Sequence, residues 1–219
     1  MKFSLHLPLS VVLAVLLGSC AAPVSREPKN LSTLKSEVKE YVVTKQYDAD
    51  LATVAASAND WVAARARSGA AKPAIVFDID ETTLSNLDHM QQFDWGYQPE
   101  AWSKWVMTSK APAIPPLREV YQTAQANNVT VFFITGRRQS EKEATARNLR
   151  TQGMGDFEAL LVRSDESKVP VGPFKAAERK KITEQGYTII ANIGDQQSDL
   201  DGGYAERTFK LPNPFYLIP

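Results

Sequence analysis

Apolar positions along this chain follow two rhythms. Leu31, Leu34, Val38, Tyr41 and Val42 recur at roughly helical spacing, and so do Leu51, Val54, Ala55, Ala58, Trp61 and Val62. Side chains spaced in this way share one face of an α-helix, so two helices are predicted ahead of the first strand. The rhythm then changes. Residues 74–78, 129–134, 159–162 and 187–193 are short, nearly continuous apolar runs, as expected of strands buried on both faces. Residues 208–211 offer a fifth, shorter strand. Helices are predicted between them over residues 116–127 and 174–185, the latter ended near Gly186. Another should open at Ser140-Glu141-Lys142-Glu143, a capping-box pattern, and run to about residue 152, with Gly153 as its stop. Strands alternating with helices predict an α/β fold. Its Rossmann-like, mainly parallel sheet would carry helices on both faces, with the N-terminal helices added and a small insertion after the first strand.

The start of the chain does not fit either rhythm. Lys2 precedes a compact apolar run at residues 9–17, too short to span a bilayer comfortably, so residues 1–19 read as a signal peptide. Leu17-Gly18-Ser19-Cys20 resembles a bacterial lipobox, which implies cleavage before Cys20 and lipidation of that residue. An ordinary cleaved leader with an incidental cysteine is the alternative. Cys20 is the only cysteine in the 219 residues. Ala21 follows it, which under the sorting rule of enteric bacteria implies the outer membrane. Residues 20–30, polar and holding two prolines, read as a tether. Residues 31–219 are then the folded domain, with residues 31–71 as N-terminal helices and residues 85–115 as a small cap-like insertion. Lys and Arg number 25, as do Asp and Glu, and this balance argues against an electrostatic nucleic-acid binder. A lone cysteine cannot form a disulfide within one chain.

The candidate chemistry sits where strands end. Asp78 and Asp80 close the first run, and ligands of open α/β sheets bind at the carboxyl ends of strands. One such carboxylate can attack phosphorus while its neighbour handles the proton, and both can help hold a hard cation. Thr135-Gly136-Arg137 follows the second run. It supplies a hydroxyl, a glycine that lets backbone approach a ligand, and a helix start nearby that favours anions. Lys175 lies near a helix start, against the macrodipole. That placement makes sense if its ammonium neutralises a carboxylate and a phosphate; Lys168 could substitute. Gly194-Asp195 with Asp199 closes the fourth run. Carboxylates gathered from two strand ends suit magnesium. Each segment alone also reads as a turn, a cap or a solvated charge.

Together, Asp78-Ile79-Asp80, Thr135, Lys175 and Gly194-Asp195 with Asp199 resemble, in order, the four motifs of the haloacid dehalogenase superfamily. The wording is most similar to its acid phosphatase branch, which holds bacterial class B and class C enzymes and plant vegetative storage proteins. Thr208-Phe209-Lys210-Leu211-Pro212-Asn213-Pro214 resembles the plant-like members in particular. The resemblance spans residues 72–219. It implies that Asp78 is the nucleophile forming an aspartyl-phosphate, and that Asp80 protonates the leaving alcohol and then activates water. Thr135 would hold the transferring group and Lys175 would balance its charge. It further implies Mg²⁺ held by Asp78, Asp195 and the Asp80 carbonyl, with Asp199 in support directly or through water. Most of the catalysis would be positioning and charge stabilisation.

Between the first two motifs, residues 85–115 carry Trp95, Tyr97, Trp102 and Trp105. These rings would either stack on a nucleobase or aryl group, or form a small satellite core. Asn86 and Arg137 are expected on the pocket wall. Cysteine and histidine nucleophiles are unpromising. Cys20 lies ahead of the folded domain, and His89 is the only histidine beyond the leader. No Gly-x-x-x-x-Gly-Lys-Ser/Thr segment exists, which argues against a P-loop kinase. The expectation is a secreted or membrane-tethered, Mg²⁺-dependent phosphatase of small phosphomonoesters, nucleoside monophosphates among them, acting outside the cytoplasm. A phosphotransferase, or a non-catalytic lipoprotein that binds or stores phosphate esters, is the alternative.

Overall fold

The computed structural model describes residues 27–218. The segment read as a leader, Cys20 and most of the expected tether lie outside the described residues. Helix α1 (Leu31–Val43) opens at Asn30, whose side chain accepts a hydrogen bond from the Ser32 N–H. It turns at Lys45, held at φ 65°, into α2 (Gln46–Arg67). Tyr47, Leu51, Ala55, Ala58 and Val62 form the buried face of α2 at three- and four-residue intervals. Trp61 Nε1 ties α2 to the sheet by donating to the Ile190 carbonyl at 2.7 Å. None of these helices, nor any other among the described residues, is long and apolar enough to cross a membrane.

The chain continues through β1 (Pro73–Phe77), the insertion helices α3 (Leu87–Gln92) and α4 (Pro99–Thr108), α5 (Pro115–Ala126), β2 (Thr130–Arg138) and α6 (Lys142–Thr151). It ends with β3 (Ala159–Arg163), α7 (Val171–Glu184), β4 (Thr188–Gly194), the short α8 (Gln197–Leu200) and β5 (Thr208–Lys210). All strand pairs are parallel, in the order β3-β2-β1-β4-β5. Alternate residues of the central strands face opposite ways. Ile75, Phe77, Val131 and Phe133 join one core with α2 and α5. Val76, Phe132 and Ile134 join the other, with Ile182 of α7. Burial on both faces explains why these strands read as continuous apolar runs.

Four details differ from the sequence expectation. Strand β2 does not stop at Ile134 but runs on to Arg138, with its β3 register broken between those residues, so Thr135 to Arg138 are extended backbone. The helix expected to open at Ser140 starts at Lys142 after a 3-10 turn over Gln139–Glu141. Glu141, not Glu143, caps that 3-10 turn by accepting from the Arg138 N–H at 3.0 Å, while Ser140 donates to Asp165; the helix itself has no side-chain cap. Helix α7 begins three residues earlier than expected, at Val171. Pro173 is tolerated in the first turn, where backbone N–H groups have no helical partner. Lys175 therefore lies one turn inside the helix. Helix α8 was not foreseen.

From β1 the chain winds outward through β2 to β3, then returns to the other side of β1 for β4. The switch point of the sheet thus lies between β1 and β4, where a crevice forms at the carboxyl ends of the strands.

Candidate active site

At that crevice lies a cavity of about 630 Å³, within the range of small-molecule sites. Asp78, Asp80, Gly136, Arg137, Lys175, Asp195 and Asp199 all line it. Helix α7 packs beside α8 and brings Lys175 between two buried acids. Its Nζ donates to Asp78 Oδ1 and, at 2.6 Å, to Asp199 Oδ1. Burial alone would lower the Lys175 pKa; Asp78 and Asp199 outweigh it and raise it. Burial, and then the Asp199, Asp195 and Asp80 charges, push Asp78 well above the ordinary carboxylate range, with Lys175 opposing. Asp195 is pushed up to about 7, first by burial and then by Asp199.

Carboxylate oxygens of Asp78, Asp195 and Asp199 lie within 4.8 Å of one another. When all three are ionised, three carboxylates against one ammonium leave two negative charges uncompensated in a buried cluster. Such an arrangement is costly unless a cation shares it. An all-oxygen donor set of this charge fits a hard divalent ion. Gly194 makes the cluster possible: a Cβ there would sit 2.4 Å from the Asp199 Cβ.

Asp80 belongs to a separate network. Arg137 Nη2 donates to its Oδ1 at 2.6 Å, and Nε reaches both oxygens at 3.2 Å. Nη1 of Arg137 is anchored on Thr145 Oγ1 at 3.0 Å. Asn86 Nδ2 adds a bond to Asp80 Oδ1 at 2.9 Å. Asn86 does not line the cavity. It is buried behind Asp80, where its Oδ1 accepts from Trp105 Nε1 at 2.8 Å. Thr135 is buried at the edge of the site, its Oγ1 accepting from the Arg137 N–H at 3.1 Å, and also lies outside the cavity lining. Lys168 makes no ion pair among the described residues.

Several residues that sequence reasoning passed over complete the site. Arg179 is fully buried one turn after Lys175. It donates to the Asp199 carbonyl at 2.6 Å, to the Gly203 carbonyl at 2.9 Å and to the Asp201 carbonyl, clamping the turn after β4. Its four-residue spacing from Lys175 was the available signal. Glu81 is buried at φ 53°, a conformation that is uncommon for a residue with a Cβ. Its carboxylate accepts from the Asn86 N–H at 2.6 Å, from Asn86 Nδ2 and from Tyr216 Oη at 2.8 Å. Burial, then the Asp80 charge, raise its pKa to about 7.

The segment after β5 folds back over the crevice. Asn213 Nδ2 donates to Asp195 Oδ2 at 2.5 Å, beside Gln196 Nε2 at 2.7 Å and Thr82 Oγ1 to Oδ1 at 3.2 Å. Phe215 lies flat on Trp95, with ring centroids 5.2 Å apart and planes 5° apart, and meets Tyr47 edge-on. In the insertion, His89 stacks on Trp105 and meets Trp102 edge-on, each at 5.7 Å. The two expectations for these rings therefore divide by residue. Trp105 is packing, whereas Trp95, Tyr97 and Trp102 line the cavity.

A carboxylate beside a buried ammonium, a second carboxyl fixed by arginine, and an acid cluster suited to a cation can together carry out phosphoryl transfer. The relatives of this chain include a named acid phosphatase. The chain is 33% identical over 204 residues to acid phosphatase 1 of Solanum lycopersicum, covering 88% of this chain and 80% of that one. It is 35% identical over 187 residues to the stem 28 kDa glycoprotein of Glycine max, covering 82% and 73%. Among solved structures it is similar to the class C acid phosphatase from Bacillus anthracis with tungstate bound. That match has a TM-score of 0.70 over 84% of this chain and 86% of that one, and its 23% identity makes it a likeness of fold. The family model described as HAD superfamily, subfamily IIIB (acid phosphatase), matches residues 17–219, and the chain therefore belongs to that family of phosphomonoester hydrolases.

Proposed function

We propose that this acid phosphatase hydrolyses small phosphomonoesters in two steps through Asp78. The observation that carries this reading is the convergence of Asp78, Asp80, Lys175, Asp195 and Asp199 on one cavity. In the first step an Asp78 carboxylate oxygen attacks phosphorus. The ester oxygen leaves and takes the proton from the Asp80 carboxyl. In the second step Asp80 takes a proton from water, whose oxygen attacks the same phosphorus. Inorganic phosphate leaves and Asp78 is restored. Arg137 and Asn86, both bonded to Asp80, fix the direction in which its carboxyl presents the proton. Lys175 balances charge on Asp78 and on the phosphoryl group. The Gly136 backbone and the Thr135 hydroxyl proton are the donors for its oxygens.

Mg²⁺ is the cation we assign to Asp78, Asp195 and Asp199, with the Asp80 carbonyl in support. When bound it supplies positive charge to the phosphoryl oxygens. The aromatic wall of Trp95, Tyr97, Trp102 and Tyr216 supports flat leaving groups, nucleosides among them. We further infer a signal peptide over residues 1–19 and a lipid anchor on Cys20, so that the enzyme acts outside the cytoplasm, at the outer membrane in a host that follows the enteric sorting rule. Metabolic labelling with a radioactive fatty acid tests the anchor. Label that persists in Cys20→Ser would refute it.

The catalytic reading is tested on residues 21–219 with p-nitrophenyl phosphate. Phosphate release should need Mg²⁺, stop with EDTA, and fall by on the order of 10⁴-fold or more in Asp78→Asn. Undiminished release by Asp78→Asn would rule Asp78 out as the nucleophile.

A further inference from the structure

The cavity is lined by more arginine than the reaction uses. Arg137 is committed to Asp80, but Arg138 and Arg163 also line the cavity. Neither has a carboxylate within 4.0 Å among the described residues. The strand register brings them together: Arg138 at the end of β2 pairs with Arg163 at the end of β3. Paired residues of parallel strands point to the same face, so two guanidinium groups stand side by side.

Their partners are backbone carbonyls. Arg138 Nη1 donates to Ser164 O at 3.0 Å and Ser167 O at 3.1 Å. Arg163 Nη2 donates to Ser167 O at 3.3 Å and to Val169 O. One carbonyl, that of Ser167, is thus shared between the two cations. Arg163 Nε is buried with no partner at all. The acids nearby are held by other donors. Glu141 accepts from the Arg138 backbone N–H, and Asp165 from the Ser140 N–H and hydroxyl. Burial, and then repulsion from Arg138, lower the Arg163 pKa. Two like charges held together on a cavity wall cost free energy, and an orphaned guanidinium N–H adds to that cost. An oxyanion in the cavity relieves the repulsion, because a planar guanidinium fork can present two N–H groups to phosphate or carboxylate. The phosphoryl end of the cavity has Lys175 of its own, so a second anion need not compete with the reacting one.

We propose that Arg138 and Arg163 form a second oxyanion subsite, and that preferred substrates are small phosphomonoesters carrying a further phosphate or a carboxylate. This rests on the phosphatase reading above. The alternative is that both arginines only tie down residues 164–169.

Two matched substrate pairs separate these, and each pair differs in one anionic group. Adenosine 5′-monophosphate is compared with adenosine 3′,5′-bisphosphate, and glycerol 3-phosphate with 3-phosphoglycerate. The subsite predicts a kcat/KM advantage of roughly tenfold or more for the more anionic member of at least one pair, the scale of a charge-assisted hydrogen bond. The pair that shows the advantage identifies the anion as phosphate or carboxylate. Arg138→Gln and Arg163→Gln should each reduce that advantage and the double variant abolish it, with p-nitrophenyl phosphate turnover within about threefold of wild type. Equal kcat/KM within both pairs in the wild-type enzyme would overturn the proposal without recourse to any variant. So would an advantage that survives in the double variant. Turnover of p-nitrophenyl phosphate without discrimination sinks this proposal alone, whereas no turnover of any ester sinks the phosphatase reading and this one with it.

Discussion

The floor and the roof of the cavity are built in opposite ways. The floor is charge: Asp78, Asp195, Asp199 and Lys175 are buried at the ends of β1 and β4 and on α7, and each carboxylate and the ammonium has a named partner within hydrogen-bond distance. The roof is rings: Trp95, Tyr97 and Trp102 from the insertion, and Phe215 and Tyr216 from the C-terminal segment, with Phe215 flat on Trp95 and Tyr97 tilted against Trp102. Charges in low dielectric are strong and tolerate little displacement, so the rigid sheet carries them. Ring contacts are softer and can vary with substrate. Damage to the floor should therefore strike the chemistry itself, and damage to the roof should strike selection and fine positioning.

The sharpest break in that contrast is Lys175→Met. It leaves Asp78 and Asp199 buried without their shared cation. Removing one partner of a buried ion pair costs about 3–5 kcal/mol, and removing a preorganised charge at a developing anion costs on the order of 10²–10³ in kcat. Urea unfolding and steady-state rates measure the two effects. If the floor is a charge cluster as described, added Mg²⁺ should recover part of the lost stability. A variant as stable as the wild type in EDTA would show that Lys175 was not balancing the acids.

Stability against pH gives the next test. Asp195 and Glu81 both titrate near 7 in the folded protein, against ordinary values of 3.8 and 4.5. Between those values and about 7 the folded chain holds protons that the unfolded chain has released. Stability without metal must then fall as pH rises through that window, and the loss is complete above it. The Tm in EDTA should be higher at pH 5 than at pH 7.5. A divalent cation, which binds the ionised cluster, should narrow or reverse the difference. A Tm that rises with pH in EDTA would mean these acids are not held in their protonated form.

The same contrast explains what could be read from the sequence. The floor was legible because its acids directly end apolar runs: Phe77-Asp78 and Ile193-Gly194-Asp195 announce strand and chemistry together. Thr135 was placed near the site but with the wrong backbone, since polar Thr135-Gly136-Arg137-Arg138 gives no sign that β2 continues. The roof was not legible. Tyr216 meets Glu81 across 135 residues of chain, and Asn213 meets Asp195 across a turn, a helix and a strand. No local periodicity encodes such pairs. From the sequence, Asn86 is expected on the pocket wall. Its actual work, joining Trp105 to Asp80, depends on where α4 packs.

Asn213→Ala tests where floor and roof join. It removes one of the donors to Asp195, and loss of a group that orients a metal ligand lowers metal affinity about 10- to 100-fold. The Mg²⁺ concentration giving half-maximal activity should rise by that order, while kcat at saturating Mg²⁺ changes little. An unchanged Mg²⁺ requirement would mean Gln196 and Thr82 suffice and the C-terminal segment merely covers the site.

The smallest effect should come from Trp105→Phe, which keeps a ring in the insertion but deletes the N–H that holds Asn86 Oδ1. Asn86 could then turn its amide, and its bond to Asp80 would loosen. Asp80 matters to the first step only in so far as the leaving oxygen needs a proton. A p-nitrophenolate departs without help, whereas an alkoxide does not. Trp105→Phe should therefore lower kcat/KM by roughly three- to tenfold for glycerol 2-phosphate, the worth of about one hydrogen bond, and leave p-nitrophenyl phosphate unaffected. Because kcat/KM reports only steps up to the first irreversible one, slow loss of phosphate from Asp78 does not obscure the comparison. A uniform loss on both esters would make Trp105 a packing residue alone, and the insertion would then act on Asp80 through shape rather than through the bonds that run from Trp105 by way of Asn86 to Asp80.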